Sequence, residues 1–241
     1  MTRSIRLGML TPSSNTVLEP LTFRMIAGLD GVTAHFSRFK VTEIALSEQA
    51  LSQFDDTEVL RAAELLAHAK VDVINWNGTS AAWKGFDTDE HLCRRIEEAT
   101  GIRACTAVLA FREIFTRKAI RRVGLVTPYL DDVQRKIAAN WAQSGFDCSA
   151  ERHLRLSDNY AFATVEPDAI AAMIRSVAAE GCDAVAVVCT NLRGAELAAP
   201  LEAELGIPIY DSVSVALWKS LRLAGVEPDR VKGWGSLFSL T

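Results

Sequence analysis

No apolar run in this 241-residue chain approaches the ~20 residues a membrane helix needs, so the sequence offers no spanning segment. The opening residues, MTRSIRLGMLTP, are too short and too polar for a secretory leader and read as a first strand. Positive charge is not in excess. Lys and Arg number 26 against 30 Asp and Glu, giving a net charge of −4, which leaves no basic footprint for nucleic acid or an anionic membrane surface. The five cysteines form no CxxC pair, which argues against a zinc site or a disulfide framework. His91 and Cys93 make an HxC with no second pair nearby, so no metal is expected. Linkers and low-complexity segments are also missing. A cytoplasmic protein is expected, acting on a small molecule. The sequence leaves the oligomeric state open, and a homo-oligomer is compatible with it.

What the chain has is apolar residues, 49% of the total, enough for one large core or two small ones. They are arranged in short β-like runs that alternate with amphipathic helical runs. Strands are expected at 5–11, 32–39, 71–76, 102–105, 123–127, 147–153, 184–189 and 207–210. Helices are expected at 58–70, 89–100, 131–144, 167–180 and 194–205. This alternation predicts βαβ units and parallel sheets.

The chain also repeats itself. RLGMLTPSSN at Arg6–Asn15 matches RVGLVTPYLD at Arg122–Asp131, with Thr11-Pro12 and Thr127-Pro128 in register 116 residues apart. VDVINWNGTS matches CDAVAVVCTN, pairing Asp72 with Asp183 and Gly78 with Cys189 at a spacing of 111. Gly101-Ile102 matches Gly206-Ile207 at 105. Three ordered anchors predict an internal duplication. The expected fold is α/β, with two pseudo-symmetric, open, parallel-sheet halves of the flavodoxin-like kind. One half comprises 1–115 with 215–241, and the other 116–214. Such sheets bind ligands beyond the carboxyl ends of their strands, so Gly78 and Cys189 are expected to face each other across a cleft.

The residues at those strand ends are chemically suggestive. Cys189 ends an apolar run and leads through Thr190-Asn191 into a helical pattern. A thiol near a helix N-terminus is expected to have a lowered pKa. The plainer reading is a buried core cysteine. Gly78, Thr79 and Ser80 offer close backbone approach, N–H groups and hydroxyls suited to a carboxylate or an oxyanion. The plainer reading there is a helix-capping loop. Pro12, Ser14 and Asn15 end the first strand, and Tyr129 follows its duplicate. No Arg or Lys recurs at these tips. A carboxylate held only by neutral donors is costly to desolvate, which suits its loss as CO2.

These residues resemble the aspartate/glutamate racemase superfamily, in the branch of maleate cis-trans isomerase and arylmalonate decarboxylase. The motifs are TPSSNT (Thr11–Thr16), NGTS (Asn77–Ser80), TPY (Thr127–Tyr129), DNY (Asp158–Tyr160) and VVCTN (Val187–Asn191). The resemblance implies two α/β halves, an interfacial active site and no cofactor. Racemases and isomerases of the group carry one cysteine in each half. Arylmalonate decarboxylases carry Gly-Thr-Ser at the first position and a single cysteine in the second half, as here. By this resemblance Cys189 is the proton donor. Thr79, Ser80 and Tyr129 hold enediolate oxygens, helped by backbone N–H groups near Ser80 and Thr190. Asn15 and Asn159 resemble the isomerase branch, in which such asparagines bind the substrate's carboxylates. Asn77 and Asn191 are expected beside the substrate as part of the same motifs. The expected activity is decarboxylation of a small malonate-type dicarboxylate. The alternatives are an isomerase or racemase with an altered first catalytic position, and a non-catalytic carboxylate-binding protein.

Overall fold

The computed structural model describes residues 4–53 and 56–240. In chain order its strands are β1 (Ile5–Pro12), β2 (Val32–Phe39), β3 (Val73–Trp76), β4 (Ala104–Thr106), β5 (Val123–Thr127), β6 (Glu151–His153), β7 (Ala184–Val187) and β8 (Ile209–Asp211). The helices are α1 (Leu18–Ile26), α2 (Glu48–Ser52), α3 (Asp56–His68), α4 (Ala81–Lys84), α5 (Phe86–Thr100), α6 (Ala107–Arg117), α7 (Asp131–Gln143), α8 (Pro167–Ala178), α9 (Ala195–Leu205) and α10 (Ser212–Leu223). The strands form two sheets with the same order, β2-β1-β3-β4 and β6-β5-β7-β8. Every strand pairing in them is parallel. This is the flavodoxin-like order, and its switch point lies between the first and third strands of each half.

The duplication extends to individual hydrogen bonds. Asp72 Oδ2 accepts from the Arg6 N–H at 2.8 Å, and Asp183 Oδ2 accepts from the Arg122 N–H at 2.8 Å. Glu97 Oε1 accepts from the Ala104 N–H, and Glu202 Oε1 from the Ile209 N–H, each at 2.9 Å. Gly101 and Gly206 end α5 and α9 at φ +69° and +71°, the left-handed cap that favours glycine.

Several element ends differ from expectation. β6 begins at Glu151 rather than at residue 147, because Asp147 joins Arg122 only in an isolated bridge and its carboxylate turns back to the Ser149 N–H. β7 ends at Val187, not at Cys189, since the last register pair with β8 is Val187 with Asp211. Cys189 therefore sits in the turn beyond the strand. α10 had no sequence signal because it is buried over nearly its whole surface and lacks the polar stripe that marks a helix.

The halves meet through an aromatic cluster. Trp141 of α7 packs against Phe86, Phe111 and Phe115 of the first half, with ring centroids 5.5–6.2 Å apart. Truncating a fully buried Trp of this kind typically costs about 3–5 kcal/mol. α10 follows the second half in the chain but packs on the first. The Asn75 amide donates to Ala216 O at 2.7 Å and to Ser220 Oγ at 2.8 Å. No helix among the described residues is long and apolar enough to cross a membrane.

Candidate active site

The switch points of the two sheets face each other around a small cavity of about 20 Å³, room for roughly one water. Gly78 and Cys189, each two residues past its strand, both line it. Pro12, Thr79, Tyr129, Asn159 and Thr190 also line it, and among the described residues no charged side chain does.

Cys189 is 3% exposed, and its Sγ accepts from the Asn191 N–H at 3.4 Å. Burial pushes its thiol up to about 12, against smaller downward pulls from that N–H and from the Tyr129 hydroxyl. This corrects the expectation of a lowered pKa. α9 begins only at Ala195, so the thiol does not sit on its N-terminus, and desolvation outweighs the few donors that reach it. The resting group is a neutral S–H. Burial likewise raises Cys93, Cys105, Cys148 and Cys182, none of which reaches this cavity.

Beside the thiol, the Tyr129 hydroxyl and Thr79 Oγ1 share a 2.6 Å hydrogen bond. Burial, then the adjacent Cys189, raises the Tyr129 phenol well above its ordinary value, so it too is a neutral donor. Thr190 Oγ1 donates to Asn77 O at 2.9 Å and accepts from Asn15 Nδ2 at 3.1 Å. Among the described residues, no acceptor is paired with the backbone N–H groups of Thr79, Ser80 or Thr190. Donors from both halves thus converge with neutral partners and no cation, which can stabilise an oxyanion that develops during reaction.

The remaining expected contacts are used inside the protein. Asn15 Oδ1 accepts from the Val17 and Leu18 N–H groups at the start of α1, and its amide reaches Thr190. Asn191 reciprocates: Oδ1 accepts from the Thr16 N–H at 3.0 Å, and Nδ2 donates to Asn159 O at 2.6 Å. The two asparagines clasp the halves together and do not line the cavity. The Asn77 amide N–H donates to Leu10 O of β1 and to Asn75 O of β3, while its Oδ1 is buried with no hydrogen-bond partner among the described residues. Ser14 Oγ donates to Val41 O at 2.7 Å and accepts from Asn159 Nδ2 at 2.8 Å, which places Asn159 at the cavity wall. The Ser80 side chain lines a neighbouring chamber of about 340 Å³, not the small cavity.

Four wall residues carried no expectation: Val41, Ile44, Trp76 and Trp83. Val41 and Ile44 lie in the stretch after β2. That stretch reaches the second half, where the Ile44 N–H donates to Ser157 O and the Asn159 N–H donates to Thr42 O. Trp83 stacks edge-on against Tyr129 at 5.4 Å. Trp76 is 1% exposed, packs on Phe39 at 5.0 Å and lies directly over Gly78.

Asp211, at the end of β8, is a further buried group that sequence reasoning missed. Its Oδ1 caps α10 through the Val213 and Ser214 N–H groups, while Oδ2 has no hydrogen-bond partner. Burial raises its carboxyl to about 7. A Cβ at Gly194 would stand 2.7 Å from Oδ2, so glycine there makes room for this carboxyl.

Comparison with known proteins places this geometry in context. The family model described as arylmalonate decarboxylase matches residues 30–238. A maleate isomerase from Pseudomonas putida strain KT2440 is 27% identical, with 99% of each chain covered. An arylmalonate decarboxylase from Bordetella bronchiseptica is 29% identical over 69% of this chain and 70% of its own. A crystal structure of a maleate isomerase from Pseudomonas putida S16 with maleate superposes with a TM-score of 0.89 at 23% identity. It covers 98% of this chain and 97% of its own, and this is a likeness of fold.

Proposed function

The chain belongs to the arylmalonate decarboxylase family, a family of enzymes, and from that premise we propose that it is a cofactor-independent decarboxylase of a small malonate-type dicarboxylic acid. The observation that carries this reading is a single neutral thiol facing a glycine across a cavity of neutral donors. One carboxylate of the substrate lies against uncharged walls, where its charge is poorly solvated. The bond from that carboxylate to the central carbon breaks and CO2 leaves. The electron pair passes into the remaining carboxylate as an enediolate. The hydroxyls of Tyr129 and Thr79, with the N–H groups of Thr79, Ser80 and Thr190, receive the growing negative charge. Removing one such donor typically costs ~10²–10³ in rate. The Cys189 S–H then gives its proton to the central carbon. A thiol near 12 is still a far stronger acid than the C–H bond it makes, and the thiolate left behind recovers its proton from water.

A second reading, cis-trans isomerisation of maleate, is supported by the end-to-end similarity to a maleate isomerase. It asks a cysteine to act as a nucleophile, which needs the thiolate. With a pKa of about 12, the thiolate fraction of Cys189 at pH 7 is ~10⁻⁵.

One experiment separates the two. Purified protein is given 2-methylmalonate or maleate with no added cofactor, and CO2 and fumarate are measured. CO2 release from the malonate, lost in Cys189→Ala, supports decarboxylation. Catalytic conversion of maleate to fumarate with no CO2 from any malonate replaces it with isomerisation.

A further inference from the structure

Among the described residues, Trp76 alone lines both the small cavity beside Cys189 and the 340 Å³ chamber next to it. The indole is the partition between them. Its position is closely determined on two sides. On one side it packs on Phe39. On the other it lies over the bare backbone of Gly78, where a Cβ would stand 1.9 Å from Cζ2 and 2.3 Å from Cε2. The chamber behind it is lined by Val59 and Leu92 and by polar side chains that include Asp56, Lys84, Asp89 and His91. Bulky residues on the other walls around Cys189 are Trp83, Tyr129, Val41 and Ile44.

On the decarboxylase reading, we infer that Trp76 sets the substrate class: the indole closes off the side chamber and restricts the enzyme to malonates bearing a hydrogen or a short alkyl group. Any malonate has to widen a cavity of this size, and while the indole stands between the two spaces an aryl substituent has no adjoining space to extend into. The duplicated strand end carries Val187 at the corresponding place, so the bulk is peculiar to the first half. With a smaller residue at position 76, the space the indole fills joins the cavity to the chamber and becomes available to an aryl ring. Trp76 is therefore a specificity-determining residue, one that takes no part in proton transfer.

The test uses Trp76→Leu, with Trp76→Phe as a milder variant that keeps an aromatic ring on Phe39. Ile44→Ala serves as a comparison that enlarges the opposite wall. Two readouts are taken: kcat/KM for phenylmalonate against 2-methylmalonate, and the melting-temperature shift caused by phenylacetate, a product-like ligand that needs no turnover. Wild type is expected to prefer 2-methylmalonate and to show no phenylacetate shift. Trp76→Leu is expected to move the ratio toward phenylmalonate by about ten-fold or more and to gain a phenylacetate shift. Trp76→Phe is expected to move the same way by less, and it decides the matter if the leucine variant does not fold. The partition is overturned if wild type handles both malonates equally, if folded variants gain nothing, or if Ile44→Ala gains as much. If no malonate loses CO2 in any variant, the decarboxylase reading fails, and the phenylacetate shift alone still decides whether Trp76 closes the chamber.

Discussion

The indole of Trp76 occupies the space that any side chain at position 78 would need: a Cβ on Gly78 would stand 1.9 Å from Trp76 Cζ2. The glycine facing Cys189 is thus held by steric necessity as well as by chemistry. A second thiol cannot be added there without moving the tryptophan.

Gly78→Cys alone is accordingly expected to be overpacked, losing about 1–3 kcal/mol of stability without gaining racemase chemistry. Trp76→Leu/Gly78→Cys is expected to recover stability relative to the single variant. It should also exchange the product's α-proton with deuterated solvent, because two thiols then face one carbon. Denaturant melts and NMR of the exchange report both. A single variant that is as stable as wild type and exchanges the proton would refute the steric argument.

Cys189→Ala removes the proton donor but not the oxyanion donors. The rate of product formation should fall by ~10²–10⁴, and any residual product from a malonate with two different short alkyl groups on its central carbon, which gives a chiral acid, should be racemic. Chiral chromatography checks this. Residual product that keeps its handedness would move the proton donor elsewhere.

Tyr129→Phe leaves Thr79 Oγ1 without its 2.6 Å partner and removes one donor from the enediolate. A fall in kcat of ~10² with a nearly unchanged KM is expected, since the lost interaction acts mainly in the transition state. A change confined to KM would assign Tyr129 to substrate binding instead.

The raised pKa of Cys189 has its own signature. Below about 12 the thiolate fraction, and with it the alkylation rate at this residue, should rise about ten-fold per pH unit. Peptide mapping after timed iodoacetamide treatment reads the rate at each cysteine. A plateau between pH 7 and 8 would mean that the thiol ionises near neutrality, and would favour nucleophilic chemistry.

Asp211 gives a stability test. Its carboxyl is raised in the folded state, from 3.8 to about 7, so between these values the folded chain holds a proton that the unfolded chain has released. Stability from this group is fully present below about pH 4 and is lost as pH rises to about 7, with a slope of up to about 1.4 kcal/mol per pH unit. Asp211→Asn keeps an acceptor for the Val213 and Ser214 N–H groups and removes the titration. Its stability relative to wild type should therefore increase from pH 4 to pH 7. Parallel pH profiles would show that Asp211 ionises normally.

Much of this architecture was legible because both halves repeat the same local chemistry. Asp72 and Asp183, Gly101 and Gly206, and the pairing of Gly78 with Cys189 are visible as sequence matches and recur as matching bonds, caps and cavity positions. The parallel sheets followed from that alternation. Less legible was how each polar side chain would be used. Asn15, Asn77 and Asn191 carry the polarity expected of ligand contacts, yet they bond backbone groups of other segments and, for Asn15, also the Thr190 hydroxyl. The Cys189 pKa was misjudged because sequence shows the donors that follow a cysteine, whereas desolvation depends on everything packed around it. Trp76 was passed over because an apolar residue on a central strand looks like core, and its second role depends on a chamber formed by α3 and α5.

The placement of α10 bears on how the protein is born. A chain emerging from the ribosome presents β1 to β4 first, and domains tend to fold as their sequence appears. The helix that covers that first sheet is translated only after the whole second half. Until residues 216 and 220 emerge, the amide of Asn75 lacks both of its partners on that helix, and one apolar face of the early sheet has no cover. The first half, synthesised before the second, is therefore completed only after it, and the nascent chain carries that exposed surface until α10 emerges.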